Sequence, residues 1–318
     1  MVEKLDLEGD QFEHPVLTIG VFDGLHLGHQ AILQRVVWQA AEVGGNAIVL
    51  TFEPHPQKVI SPGDAPLLLQ TSEQKLELLK AKGIDVFVRM PFTRRLSLLS
   101  PAQFVESVLL NRGICEVYVG SNFRFGHRRK GDCRLLKELA EKGGIRVEQI
   151  EQVRAGQDRI SSTKIRKSLI RGRVGRAATM LGRAYEVVGT VVKGANRGVI
   201  LGFPTANLQL HNELTPALGV YVTQVQLEDR LIGSVTNIGI RPTLSPAHGS
   251  DLRPVIESHL LDFRGDLYGQ LLRISFLKRL RSEKKFESIE KLQLQIRDDI
   301  HDARRFLRET DENHVRAG

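Results

Sequence analysis

A chain of 318 residues, 41% hydrophobic and 26% charged, has room for two globular domains and a composition that excludes a disordered or fibrous polymer. Its formal charge of +8 favours anionic partners, although the basic residues are scattered and solubility alone is an equal explanation. With 6% aromatic residues and no aromatic–basic interleaving, no nucleic-acid partner is expected, and no apolar run is long enough to span a bilayer, so no membrane partner is expected either.

The N-terminus, Met1-Val2-Glu3-Lys4-Leu5-Asp6, is charged and has no apolar targeting core. The two cysteines, Cys115 and Cys133, form no metal or redox spacing, and Cys115 reads as a core residue. A reducing, cytoplasmic location is expected.

The first half alternates strand and helix patterns. Residues 16–22 read as a strand, and 30–43 as a helix with Ile32, Leu33, Val36, Val37 and Ala40 on one face. Strands follow at 46–52, 85–90, 116–120 and 145–153. Helices fall at 72–81, stopped by Gly83, at 101–110, opened by Ser100-Pro101, and at 132–141 and 161–170. Such alternation predicts an α/β fold with a doubly wound parallel sheet, whose ligands bind at the carboxyl ends of strands. Residues 22–29, 53–56, 121–126 and 159–163 fall at those ends.

After a connector at 171–176 and a short Ala-rich helix to Leu181, the pattern changes. Residues 185–192, 220–227, 231–237, 255–263 and 271–276 are strand-like, with a turn at Glu228-Asp229-Arg230. An all-β barrel or sandwich is expected there. A terminal helix follows, with Phe286, Ile289, Leu292, Ile296, Ile300, Ala303 and Leu307 on its packing face.

The chemistry concentrates first at residues 18–29. A strand breaks into a turn at Asp23-Gly24, and a helix begins immediately after His26 and His29. A glycine-containing turn that feeds a helix N-terminus is an anion site, and imidazoles add donors able to carry a proton near neutral pH. Two imidazoles three apart could share a zinc ion, but no further ligand accompanies them at a recognisable spacing. The run Arg159-Ile160-Ser161-Ser162-Thr163-Lys164-Ile165-Arg166 opens another helix with three hydroxyls between cations. A cap needs only one hydroxyl, so the run suits a polyphosphate.

In the second half, Lys193, Gly194, Arg197, Gly198 and Gly202 combine charge with glycines that permit close approach, although an ordinary Gly-rich hairpin reads the same way. Thr205 and Asn207 offer neutral oxygens on one face of an extended segment, which suits Mg²⁺ already held by ATP phosphates. Glu257 shares a strand face with His259 and could take a proton from a hydroxyl nucleophile; a solvated strand carboxylate is the plainer reading.

The first half, with GxFDGxHxGH, Thr51-Phe52-Glu53-Pro54-His55-Pro56, GxNFRFG at 120–126 and the distant ISSTxIR, resembles the nucleotidylyltransferase superfamily. The second half carries GANRGxxLGFPTAN, NIGxRPT, ExHLLDF and GDLYG. Together they resemble the bacterial bifunctional riboflavin kinase/FAD synthetases over roughly residues 15–310.

The resemblance implies an FMN adenylyltransferase domain at 1–183, and at 184–318 a riboflavin kinase domain built as a six-stranded antiparallel barrel with a terminal helix. It implies phosphorylation of riboflavin by ATP to FMN, then adenylylation of FMN by ATP to FAD and pyrophosphate. It places His26 and His29 on ATP phosphates, and Asn122, Arg159, Ser162, Thr163 and Arg166 near nucleotide or flavin phosphate. Gly20, Phe22 and Asp23 shape the turn, Thr205 and Asn207 hold Mg²⁺-ATP, and Glu257 is the base toward the ribityl 5′-hydroxyl.

A phosphate nucleophile is already an anion, so adenylyl transfer needs donors and positioning rather than a base. The chain departs from the family pattern at Ile240, at Leu244 and at Arg94-Arg95-Leu96-Ser97. The alternatives are an enzyme adenylylating pantetheine phosphate or a nicotinate nucleotide, and a binding protein with inactive sites.

Overall fold

A computed structural model describes residues 1–4, 7, 12–110, 112–156, 158–194, 197–240 and 254–317. The chain forms two units, Met1–Ser162 and Thr163–Gly318.

The first unit has strands β1 (Val2–Lys4), β2 (Val16–Ile19), β3 (Ala47–Glu53), β4 (Val86–Pro91), β5 (Glu116–Gly120) and β6 (Arg146–Ile150) in one sheet of order β1-β4-β3-β2-β5-β6. All its pairs are parallel. Helices α1 (Leu27–Glu42), α2 (Pro56–Ile60), α3 (Ser72–Ala81), α4 (Arg94–Ser97), α5 (Pro101–Val108) and α6 (Cys133–Ala140) connect them. A separate hairpin pairs β7 (Arg154–Ala155) with β8 (Asp158–Arg159).

Alternating side chains of the strands feed two cores. Ile32, Leu33 and Val36 of α1 and Leu79 of α3 pack on one sheet face, against Val16, Val49 and Phe87. Phe104 and Val105 of α5 and Leu136 of α6 pack on the other, against Leu17, Leu50 and Val117. Both faces are covered, as a parallel sheet requires. The strand order reverses between β2 and β5, which opens the ligand crevice of such sheets at their carboxyl ends.

Thr71 with Gln74 and Ser100 with Gln103 form capping boxes that start α3 and α5. Helix α1 starts at Leu27, earlier than its apolar stripe predicts, because His26 caps it. Strand β1, only three residues long, carries no strand pattern of its own.

The second unit begins with α7 (Ser162–Ile170), whose first residue is the last of the first unit, and α8 (Val174–Leu181). Strands β9 (Tyr185–Val192), β10 (Ala206–Leu210), β11 (Gly219–Leu227), β12 (Arg230–Ile240), β13 (Pro254–Leu260) and β14 (Leu271–Arg281) close a barrel in the order β10-β13-β12-β11-β14-β9. Every pair is antiparallel. The short helix α9 (Arg197–Ile200) precedes β10, and α10 (Ile289–Ala317) ends the unit. Strand β10 lies in the stretch whose glycines and proline mask its alternation, so five strand patterns become six strands.

Thr223, Ser234, Thr236 and Ser258 are fully buried and satisfy one another, with oxygen separations of 2.7 Å from Thr223 to Ser234, 2.6 Å from Thr223 to Thr236 and 2.9 Å from Thr236 to Ser258. On the opposite face of β11 and β12, Val220, Val222 and Val235 pack with Ala303, Ile300, Phe306 and Leu307 of α10. The terminal apolar stripe is thus a packing face along its middle, but Ile289 at its start is 62% exposed. Arg281 makes a bidentate pair with Asp299 at 2.8 to 3.1 Å, and Arg304 another with Asp262 at 2.8 and 2.9 Å.

Candidate functional site

The first cluster grows from the carboxyl end of β2. The Gly20 N–H donates to Leu50 O at 3.0 Å, and a Cβ on Gly20 would stand 3.0 Å from the Phe22 ring. The chain then turns sharply, with φ of +49° at Phe22, +83° at Gly24 and +40° at Leu25. Each non-glycine residue so held costs about 1–3 kcal/mol and persists only where its surroundings over-determine it.

They do so here. Val21 O accepts from Lys75 Nζ at 3.0 Å and from Thr51 Oγ1 at 3.1 Å, and Phe22 O accepts from Gln70 Nε2 at 3.4 Å. Asp23 O accepts from Ser162 Oγ at 2.9 Å, and Leu25 O from Gln30 Nε2 at 2.9 Å. The buried Asp23 carboxylate accepts from Leu69 N at 2.9 Å. The turn's carbonyls are thereby drawn toward the protein.

His26 caps α1: its Nδ1 accepts from His29 N at 3.2 Å, which leaves Nε2 to carry the proton. The two imidazoles stack at 3.6 Å between centroids, and Phe22 meets His29 edge-on at 5.2 Å. Gly28 permits this, since a Cβ there would come within 3.1 Å of the His26 ring.

His29 is half-buried as a residue, but its Nδ1 is sealed from solvent and has no hydrogen-bond partner. Burial, then His26 and Lys75, hold its pKa well below the ordinary 6.5. The helix N-terminus beside the two rings presents backbone N–H groups that attract an anion.

Sequence reading missed Lys75. On α3 it looks like one solvated lysine among several, and nothing local marks its reach to Val21. Burial lowers its pKa, Asp23 and Glu53 raise it, and Arg89 lowers it. Glu53 of the Thr51–Pro56 motif is itself fixed by Ser72 Oγ at 2.6 Å and Arg89 Nη1 at 3.3 Å.

Of the other expected residues, Asn122 stands exposed two residues beyond β5, and Arg159 stands exposed in β8, paired in register with Arg154. Thr163 and Arg166 lie on α7 in the second unit, exposed and half-buried respectively.

The second cluster lies on the barrel. Asn207 of β10 is in register with Glu257 of β13, which is in register with Asn237 of β12. Ile256, Ser258 and Leu260 are buried while Glu257 and His259 are half-buried, so the latter two share the outer face, as alternation predicts. His259 Nδ1 lies 2.7 Å from Pro204 O and its ring meets Phe203 edge-on, which fixes the segment leading to Thr205.

A Cβ on Gly194 would overlap the Asn207 carboxamide. One on Gly198 would overlap Phe203 O and stand 2.9 Å from Thr205 Oγ1. The two glycines thus form a cradle around Thr205 and Asn207. Gly202 turns the chain at φ +84°, and Lys193 is exposed just after β9. Arg197 opens α9.

No group of three or more His, Cys, Asp or Glu fit to hold a metal occurs among the described residues. The cradle's neutral oxygens fit a divalent ion that brings its own phosphate ligands. Ala195, Asn196, residues 241–243 of NIGxRPT and Leu244 lie outside the described residues; Ile240 ends β12, 40% exposed.

A family model described as FAD synthetase matches residues 9–164, and one described as riboflavin kinase matches 181–307. A bifunctional riboflavin kinase/FMN adenylyltransferase of Pseudomonas fluorescens is 38% identical over 290 residues, covering 91% of this chain and 92% of that one. Proteins of the same description from Haemophilus influenzae and Escherichia coli are 34% and 35% identical, each covering 92% of this chain and 94% and 92% of their own.

A crystal structure titled as a macrolide-efflux protein from Streptococcus pneumoniae superposes with a TM-score of 0.85 at 26% identity, covering 95% of this chain and 98% of that one. No helix among the described residues of the present chain is long and apolar enough to cross a membrane. With both modules in order and relatives matched along nearly their whole length, the chain belongs to the bifunctional riboflavin kinase/FMN adenylyltransferase family.

Proposed function

We propose that the family's two activities, conversion of riboflavin to FMN and of FMN to FAD, reside in the two clusters described above, each with its own ATP. The observation that carries the first assignment is the hydrogen bond from Ser162 Oγ to Asp23 O. It joins the hydroxyl-rich segment to the histidine turn, far apart in sequence, at the switch point of a parallel sheet.

In the first site, a phosphate oxygen of FMN attacks the α-phosphorus of ATP and pyrophosphate leaves. His26 and His29 donate to the phosphates, with Asn122, Arg159 and Ser162 as further donors. Gly20, Phe22 and Asp23 hold the turn. No base is needed, and the donors match the charge that develops on the phosphates.

In the second site, Glu257 orients the ribityl 5′-hydroxyl and takes its proton as the γ-phosphoryl group is transferred. Thr205 and Asn207 hold Mg²⁺, and Lys193, Gly194, Arg197, Gly198 and Gly202 enclose the phosphates. When bound with ATP, Mg²⁺ neutralises phosphate charge. We place the functional boundary at 183/184, a reading supported by barrel strands that all begin at Tyr185 or later. A cytoplasmic location accords with two free cysteines.

Purified protein given riboflavin and MgATP should yield FMN and then FAD; formation of neither would refute the reading. Glu257→Ala should abolish FMN formation while FAD still forms from supplied FMN, and His29→Ala should do the reverse. Loss of both activities from either folded variant would refute the two-site assignment.

A further inference from the structure

Lys75 brings a charged donor to the carbonyls of residues 21–25, where Thr51, Gln70, Gln30 and Ser162 bring neutral ones. It reaches from α3, an element that carries no signature of the site, to the first carbonyl of the turn. Val21 O receives two donors, Lys75 Nζ at 3.0 Å and Thr51 Oγ1 at 3.1 Å. The next four residues include three at positive φ, and beyond them come the stacked histidines. Displacing the first carbonyl would release the turn from its fixed end.

We infer that Lys75 is a positioning residue for adenylyl transfer: its ammonium fixes the Val21 carbonyl, and with it the histidine turn. This rests on the adenylyl-transfer reading of the first site. Burial pushes the pKa of Lys75 down; the carboxylates of Asp23 and Glu53 work against that shift and Arg89 adds to it. His29 faces His26, Lys75 and the Phe22 edge. A nearby cation disfavours imidazolium, so the free enzyme presents a neutral His29 until substrate phosphates arrive.

The test compares Lys75→Met, Lys75→Gln and Lys75→Arg in the full chain. Lys75→Met removes charge and donor, Lys75→Gln keeps a donor without charge, and Lys75→Arg keeps both. Misplacing a reacting group by an ångström costs on the order of 10²-fold, so Lys75→Met should lower kcat for FAD formation from FMN by about that factor with little change in KM. FMN formation from riboflavin should be unchanged. The His29 titration, followed by imidazole NMR, should move to higher pH in Lys75→Met and Lys75→Gln and stay in place in Lys75→Arg.

Wild-type kcat in Lys75→Met, or one His29 titration common to wild type, Lys75→Met and Lys75→Gln, would overturn the inference. If Lys75→Met does not fold, Lys75→Gln carries the titration comparison, and Lys75→Leu carries the kcat comparison. A wild type that makes no FAD would instead defeat the underlying reading.

Discussion

At the scale of residues, the histidine turn shows what a sequence discloses and what it conceals. The His26–His29 spacing announces two imidazoles near a helix start, but not that one caps the helix and stacks on the other at 3.6 Å. Nor does it disclose the sealed Nδ1 of His29. That detail has a measurable consequence. The folded pKa of His29 lies well below 6.5, so between that value and 6.5 the unfolded chain binds a proton that the folded site refuses. Stability contributed at this site is therefore present above pH 6.5 and falls as pH drops through that window. Denaturant unfolding of wild type and His29→Gln at a series of pH values should show a slope in the former that is missing in the latter. Lys75 was illegible for a related reason: its partner is a backbone carbonyl far away in sequence, and a mid-helix lysine in an ordinary amphipathic pattern carries no trace of that contact.

At the scale of elements, the α/β unit was readable because each helix and strand has its own period, and its capping residues stand in the sequence. The barrel was harder. Strand β10 is short and follows a turn at Gly202 and Pro204, so no alternation announces it, although Thr205 and Asn207 read as part of an extended segment. Thr205 and Asn207 lie close to backbone at Gly198 and Gly194 that leaves no room for a Cβ, an approach that suits the role proposed for them. Gly194→Ala should therefore force Asn207 aside and reduce riboflavin phosphorylation more than tenfold, at roughly 1.4 kcal/mol per decade, while FAD formation from FMN is retained. Parallel assays of the two reactions on one preparation check this. The terminal helix was legible as an amphipathic stripe, but not its electrostatic anchor. Asp299 is buried at 5% exposure and paired bidentately with Arg281, so Asp299→Ala strands a guanidinium and should destabilise the barrel by about 3–5 kcal/mol, read as a lower denaturant midpoint.

At the scale of the whole molecule, the histidine turn with Ser162 belongs to the first unit, and the Gly194–Asn207–Glu257 set belongs to the second. The product of one site is the nucleophile of the other: phosphorylation converts a hydroxyl that needs a base into a phosphate that needs none. That chemical order dictates the material balance. Each FAD made from riboflavin should release one ADP from the kinase step and one pyrophosphate from the adenylyl step, with FMN appearing before FAD. It also dictates a complementation experiment. If the adenylyl-transfer site draws FMN from bulk solution, a mixture of Glu257→Ala and His29→Ala proteins should convert riboflavin to FAD although neither variant does so alone. The FAD rate should rise as free FMN accumulates and should be abolished by an enzyme that consumes free FMN. FAD formation by the wild type that persists in the presence of that FMN-consuming enzyme, while the mixture makes none, would mean that FMN made on one chain is used there without passing through bulk solution.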